Sequence, residues 1–344
     1  MAAEPTTYRA GNAGGALGVD EGAGAAPVLE ARALVLRYRA RDGRTLTALD
    51  NVSLTVGAGE FVALVGPSGC GKTTLLSVLA GLHTPSAGTV ALRGDPQARR
   101  LGRVAYMPQR DLLLPWHTAL GNAMAGLLVQ GVPRAEARAR AQAIFAAFGL
   151  AGFERAYPFT LSGGMRQRVA FARTALVARE VMLLDEPFGA LDALTRATLQ
   201  GWLGELWGRL ATSCLLVTHD IDEALLLADR VYVLTARPGQ VRLERSVPLE
   251  RPRRAEMLAR PALVALKAEL LAALADASSP ARPTSARSTP VQSASPRAAQ
   301  AGCASEASRG SLERSVAVEN APKSAVETAG SLLRPALVRD GSDR

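Results

Sequence analysis

With 344 residues, 48% hydrophobic and 21% charged, the chain has ample apolar material for a packed core and length for one large domain or two. Its formal charge of +9 is carried by arginine, since Lys72, Lys267 and Lys323 are the only lysines, and no basic cluster is interleaved with aromatics, which argues against dedicated nucleic-acid binding. No run approaches the roughly 18 apolar residues of a bilayer span, and Cys70, Cys214 and Cys303 share no metal or redox spacing, which fits reduced thiols in a cytoplasmic compartment.

Residues 1–26 are rich in Gly and Ala, carry Glu4 early and hold no continuous apolar core, so they read as disordered rather than as a signal peptide or an anchor. The stretches "EARALVLRYR", "LDNVSLTV", "EFVALVG" and "GTVALRG" follow as short strands broken by Gly and Asp. Among them stands "GPSGCGKTT", residues Gly66, Pro67, Ser68, Gly69, Cys70, Gly71, Lys72, Thr73 and Thr74. The spacing fits a phosphate loop: glycines let backbone N–H groups turn toward one anion, and the next helix points its positive end at it. Lys72 would reach the β- and γ-phosphates, and Thr73 would offer its hydroxyl to Mg²⁺. The Cys70 thiol, beside a lysine and a helix start, is expected to have a lowered pKa and raised reactivity.

From about residue 117 to 178 the periodicity turns helical, with "ARARAQAIFAAFGL" and with "GMRQRVAFARTALVA" placing Met165, Val169, Ala172 and Leu176 on one face. "LSGGMRQR" opens the second of these helices: Ser162 reads as an N-cap, and Gly163 and Gly164 leave bare N–H groups there. That is a second anion site in a chain that already has one, which suggests two chains sharing nucleotide. Next, "VMLLDEP" is a buried strand ending in two carboxylates, Asp185 to hold Mg²⁺ through water and Glu186 to polarise the attacking water. "SCLLVTHD" is another buried strand with a polar end, "DRVYVLTARPGQVRLERSVPL" reads as closing strands, and "RAEMLARPALVALKAELLAAL" reads as helix interrupted at Pro261. Residues 277–344, rich in Ser, Ala, Pro and Arg, read as a disordered tail.

Taken in order, these pieces resemble the ATP-binding subunit of ABC transporters over about residues 28–250. The resemblance implies an α/β fold: a phosphate-loop NTPase core of ABC ATPase type, with an antiparallel β subdomain and an inserted α-helical subdomain. It also implies that Tyr38 stacks on adenine, that Gln109 in "YMPQRD" senses metal and γ-phosphate, that "GALD" ending at Asp192 is the D-loop, and that His219 contacts the γ-phosphate. By itself each could be ordinary: a strand aromatic, a loop amide, a helix cap, a strand-end histidine. Met165 stands where many members carry Gln; "SGGMRQR", "LLLPWHTALGNAMAGL", "DEPFGALDALTR" and "RPGQV" resemble the nitrate, sulfonate and taurine import branch, and "LQGWLGELW" resembles importers of pyrimidine vitamin precursors.

The organisation implied is an ATPase domain over 27–250, its helical part at about 117–178, then a C-terminal helical segment over 251–276. ATP held by Lys72, Thr73 and Gln109 of one subunit would be closed over by Ser162, Gly163 and Gly164 of another, so that binding zips a head-to-tail homodimer. A separate integral-membrane permease and, indirectly, an extracytoplasmic solute-binding protein are the partners implied, with this subunit peripheral on the cytoplasmic face of the inner membrane. The segment from Gln109 to Trp116 would dock the permease if Trp116 is exposed; a buried Trp116 would be packing. A soluble ABC-type ATPase acting on nucleic acid or in translation is the alternative, disfavoured by one cassette and a short insert.

Overall fold

A computed structural model describes residues 26–39, 42–177, 179–189, 191–207 and 212–278. The segments expected to be disordered lie outside these residues, except Ala26, Ala277 and Ser278 at their inner ends. In chain order the elements are β1 (Leu29–Arg39), β2 (Thr45–Val56), β3 (Phe61–Val65), α1 (Lys72–Leu79), β4 (Ala87–Leu92), β5 (Val104–Met107), α2 (Ala119–Val129), α3 (Arg134–Ala147) and α4 (Gly163–Leu176). There follow β6 (Val181–Asp185), α5 (Ala193–Trp207), β7 (Ser213–Val217), α6 (Ile221–Leu227), β8 (Arg230–Leu234), β9 (Val241–Ser246) and α7 (Pro261–Ser278), the last preceded by a 3₁₀ turn over Ala255–Ala259. Pro261, expected to interrupt a helix, starts α7: its missing N–H falls where a helix has no acceptor for it.

The strands form two sheets. β2, β1 and β4 pair antiparallel in that order, while the larger sheet runs β5-β6-β7-β3-β8-β9. Within it β5, β6, β7, β3 and β8 are parallel and only the β9 edge is antiparallel. All five residues of β3, β6 and β7 are buried, as the unbroken apolar runs require of strands covered on both faces. Alternate side chains go to different cores. Phe61, Ala63 and Val65 join α2, α3, α4 and α6 on one face, whereas Val62 and Leu64 join α1 and the antiparallel sheet on the other. The β9 edge carries Arg242, Glu244 and Arg245, charges that deter further strand pairing. β5 has no distinct mark in the sequence, because its four residues follow an Arg-rich turn and are too few to show a period.

The helical layer packs its Ala-rich faces. Val169, Ala172 and Leu176 of α4 are buried, and Met165 is partly buried against the same core. Asn122, in the first turns of α2, is fully buried and fully used. Its Oδ1 accepts the Leu114 N–H at 2.7 Å, and its Nδ2 donates to the carbonyls of Leu114, His117 and Thr118 at 3.1, 3.2 and 3.1 Å. One side chain thus folds the loop carrying Trp116, which is 70% exposed. Removing it strands partly buried backbone groups and empties a buried position, so Asn122→Ala should lower unfolding free energy by about 2–3 kcal/mol in chemical denaturation. A loss under about 1 kcal/mol would mean the loop does not depend on it.

Candidate functional site

β3 runs into the loop of residues 66–71, and α1 begins at Lys72. Gly71 takes φ 109° and ψ 11° at the helix start, where a Cβ would lie 3.0 Å from Leu49 Cδ2 and 3.1 Å from the Ala48 oxygen. Glycine alone makes that turn against β2. The Lys72 ammonium donates to the Gly66 and Pro67 carbonyls at 2.8 and 3.0 Å, so the loop is curled around its own lysine. Ser68 and Gly69 form its exposed rim, and Arg237, from the β8–β9 turn, donates to the Gly69 carbonyl at 3.0 Å. Cys70 departs from expectation. The thiol is 1% exposed beneath the loop, and burial pushes its pKa up, outweighing the downward pull of Lys72.

Parallel strands deliver the acidic groups to the same edge. Asp185 closes β6 and is 1% exposed; burial pushes its carboxyl up, a Thr73 hydrogen bond and the Lys72 charge pull it down, and Glu186 pushes it up again. Its Oδ2 is buried and, among the described residues, has no hydrogen-bond partner. An unpaired carboxylate oxygen beside a threonine hydroxyl is an oxygen donor pair of the kind Mg²⁺ takes, so these residues fit that ion. Glu186 comes next with φ 48°, a left-handed conformation costing a non-glycine residue on the order of 1 kcal/mol, and its N–H donates to the Val217 oxygen at 2.9 Å. The turned carboxylate accepts from Gln109 Nε2 at 3.1 Å and stands 3.8 Å from His219 Nδ1. Gln109 follows β5 and His219 follows β7, so three strand ends meet at Glu186.

The stretch expected to be a second anion site lies at the start of α4. The Ser162 hydroxyl accepts the Met165 N–H at 3.2 Å, and Gly163 and Gly164 occupy the first helical positions. Asp192 caps α5 by accepting the Thr195 N–H at 2.9 Å, a bond that holds its carboxyl below the ordinary range; Ala190 of the same segment lies outside the described residues. A Cβ on Gly164 would lie 3.2 Å from Leu191 Cδ2, so the two helix starts are neighbours. Among the described residues no hydrogen bond or ion pair joins Ser162, Gly163 or Gly164 to the loop of residues 66–74. Tyr38, near the end of β1, is 39% exposed and meets His83 edge-on at 6.5 Å.

Several contributors have no mark in the sequence. Arg166 pairs with Asp111 at 3.0 Å, and Arg173 donates to the carbonyls of Asp111 and Leu112, both at 2.7 Å, so the segment after Gln109 is tied to α4. Thr218 and Glu223 flank the histidine turn in a buried hydrogen bond at 3.0 Å. Only the arginines of "GGMRQRVAFAR" offered a hint, as cations on a helix that otherwise packs into the core.

The ABC transporter family profile matches residues 49–189. The taurine import ATP-binding protein of Chromobacterium violaceum is 44% identical over 235 residues, 67% of this chain and 90% of that one. The formylaminopyrimidine import ATP-binding protein of Halalkalibacterium halodurans is 43% identical over 208 residues, 60% and 81% of the two chains. Among solved structures, a dimeric ATP-binding cassette in a post-hydrolysis state, bound to ADP and Pi, superposes with a TM-score of 0.57 at 29% identity, covering 64% of this chain and 100% of that one.

Cys70 and Cys214 are both buried, and burial pushes both thiols up. A Cys303→Ser variant should therefore take up almost no maleimide while native and about two equivalents once denaturant is added. Rapid native labelling that Cys70→Ala abolishes would show the loop opening and overturn the burial argument.

Proposed function

Since the chain belongs to the ATP-binding subunits of ABC transporters, we propose that it is the ATP-hydrolysing subunit of an importer that works through a separate membrane permease. The observation that carries this reading is the meeting of Gln109, Glu186 and His219 at the ends of β5, β6 and β7, beside the Thr73–Asp185 pair. Lys72 and the loop amides bind the triphosphate. Mg²⁺, when bound, supplies Lewis-acid charge at the β- and γ-phosphates. Thr73 and Asp185 are the residues to hold it, with Gln109 at hand. Glu186 accepts the proton of the attacking water, its carboxylate aimed by its own left-handed backbone and by the Gln109 amide. His219, 3.8 Å away, contacts the γ-phosphate, and Tyr38 offers its exposed ring to adenine.

The cradle at Ser162, Gly163 and Gly164 serves the nucleotide of a second copy, with Asp192 at the neighbouring helix start. This is supported by the absence, among the described residues, of any hydrogen bond or ion pair between it and the phosphate loop of its own chain. The closed dimer has contacts that the open one lacks, so ATP favours closure and its hydrolysis removes that preference. Trp116, presented by the Asn122-folded loop, and the stacked, exposed Tyr157 and Phe159 are the surface offered to the permease. The importer relatives support a taurine-like sulfonate or a pyrimidine-precursor solute; a small anion such as nitrate rests on the sequence resemblance alone, as does delivery by an extracytoplasmic binding protein. No described helix is long and apolar enough to cross a membrane, which suits a peripheral subunit on the cytoplasmic face. The nucleic-acid alternative gains no observation.

Glu186→Gln keeps size and hydrogen bonding but loses the base, so kcat should fall at least about 100-fold while ATP stays bound. With MgATP, this variant should elute as a dimer in size-exclusion chromatography, and Lys72→Ala, which cannot hold the triphosphate, should elute as a monomer. Near-parent turnover by Glu186→Gln would remove Glu186 from the role of base.

A further inference from the structure

We propose that Glu223 is the positioning residue of the histidine turn, gripping the Thr218 hydroxyl from the first turn of α6 and so fixing the backbone that presents His219. The proposal rests on the reading that His219 contacts the γ-phosphate. His219 itself has a side chain 63% exposed, so little but its backbone aims it. That backbone is fixed on both sides. The buried Thr218 hydroxyl donates to Glu223 Oε2 at 3.0 Å and accepts the Asp220 N–H at 3.0 Å, so one hydroxyl ties the residues before and after His219. Asp220 Oδ1 in turn accepts the N–H groups of Asp222 and Glu223 at 2.9 and 3.2 Å, anchoring the turn on the start of α6.

Glu223 holds this frame as a neutral acid. It is 6% exposed, and its buried Oε1 has no partner among the described residues, so an ionised oxygen there would find no donor among them. Asp220 from its own turn and Glu186 from the end of β6 oppose its ionisation; Arg196 of α5 favours it, while Lys267 of α7 is engaged with Asp222 at 2.7 Å. Burial dominates and pushes the carboxyl up to about 8. Near neutral pH the turn is therefore held without a further negative charge beside Glu186, where the γ-phosphate arrives. Above about pH 8 the carboxyl ionises, repels both, and costs turnover.

The test is steady-state ATP hydrolysis by the full chain at saturating MgATP, from about pH 6.5 to about pH 9.5. Glu223→Gln, a permanent mimic of the neutral acid, should stay within about 3-fold of the parent kcat at pH 7 and lose the parent's decline above about pH 8. Glu223→Ala and Thr218→Val should each lower kcat about 10-fold or more with KM for ATP little changed, and Thr218→Ser should restore it. If Glu223→Ala fails to fold, the Thr218→Val and Thr218→Ser pair decides. A folded Thr218→Val with parent kcat, or a Glu223→Gln with the parent's alkaline decline, overturns the proposal. His219→Ala separates the two levels: if it turns over at the parent rate, the role given to His219 fails and the proposal with it, whereas its loss of turnover leaves the Glu223 series to decide.

Discussion

Five parallel strands ending on one edge of a sheet are the constraint from which the chemistry of this chain follows. Parallel pairing turns every strand's carboxyl end the same way, so β3, β5, β6 and β7 bring the phosphate loop, Gln109, the Asp185–Glu186 pair and His219 to one crevice. Residues scattered over some 150 positions become neighbours through backbone hydrogen bonding alone. The side chains then need only fine placement, which the left-handed turn at Glu186 and the Gln109 amide provide.

The second constraint is electrostatic. The crevice edge carries Asp185, Glu186, Asp220 and Glu223 close together, and a protein interior tolerates few uncompensated charges. Each is handled differently. Asp185 keeps an unpaired oxygen that a divalent cation can take, Glu186 leans toward Gln109 and His219, Asp220 spends its charge on a helix start, and Glu223 stays protonated. On the proposed reading, phosphate would enter a site whose negative charge has already been trimmed, with Lys72 supplying positive charge from inside the loop.

How much of this the sequence discloses follows from how local each feature is. The phosphate loop, the Ser162 cap and the buried strands are readable because a few adjacent residues determine them: glycine spacing, a hydroxyl before a helix, an unbroken apolar run. The Glu186–Gln109 contact depends on strand order, which no local pattern encodes, and the left-handed backbone at Glu186 leaves no trace in the residue's identity. Cys70 shows the same limit from the other side. Its neighbours suggest a reactive thiolate, but depth beneath the loop, set by β2 and by the turn containing Gly239, reverses the sign. Asn122 looks like any helix polar residue until the Leu114–Thr118 loop is seen closing around it.

The place of β3 in the sheet also bears on the order in which the protein can form. It is synthesised well before its two hydrogen-bonded neighbours, β7 and β8, which begin at Ser213 and Arg230. Until those segments leave the ribosome the strand that anchors the phosphate loop has two open edges and an apolar face on either side. Such distant pairings are slow to close and leave the nascent chain open to aggregation meanwhile. Nucleotide offers no early help, because the loop that would bind it hangs from an unpaired strand. The larger sheet therefore closes only after β8 is made, and a chain released before then has the phosphate-loop sequence without both strands that flank β3.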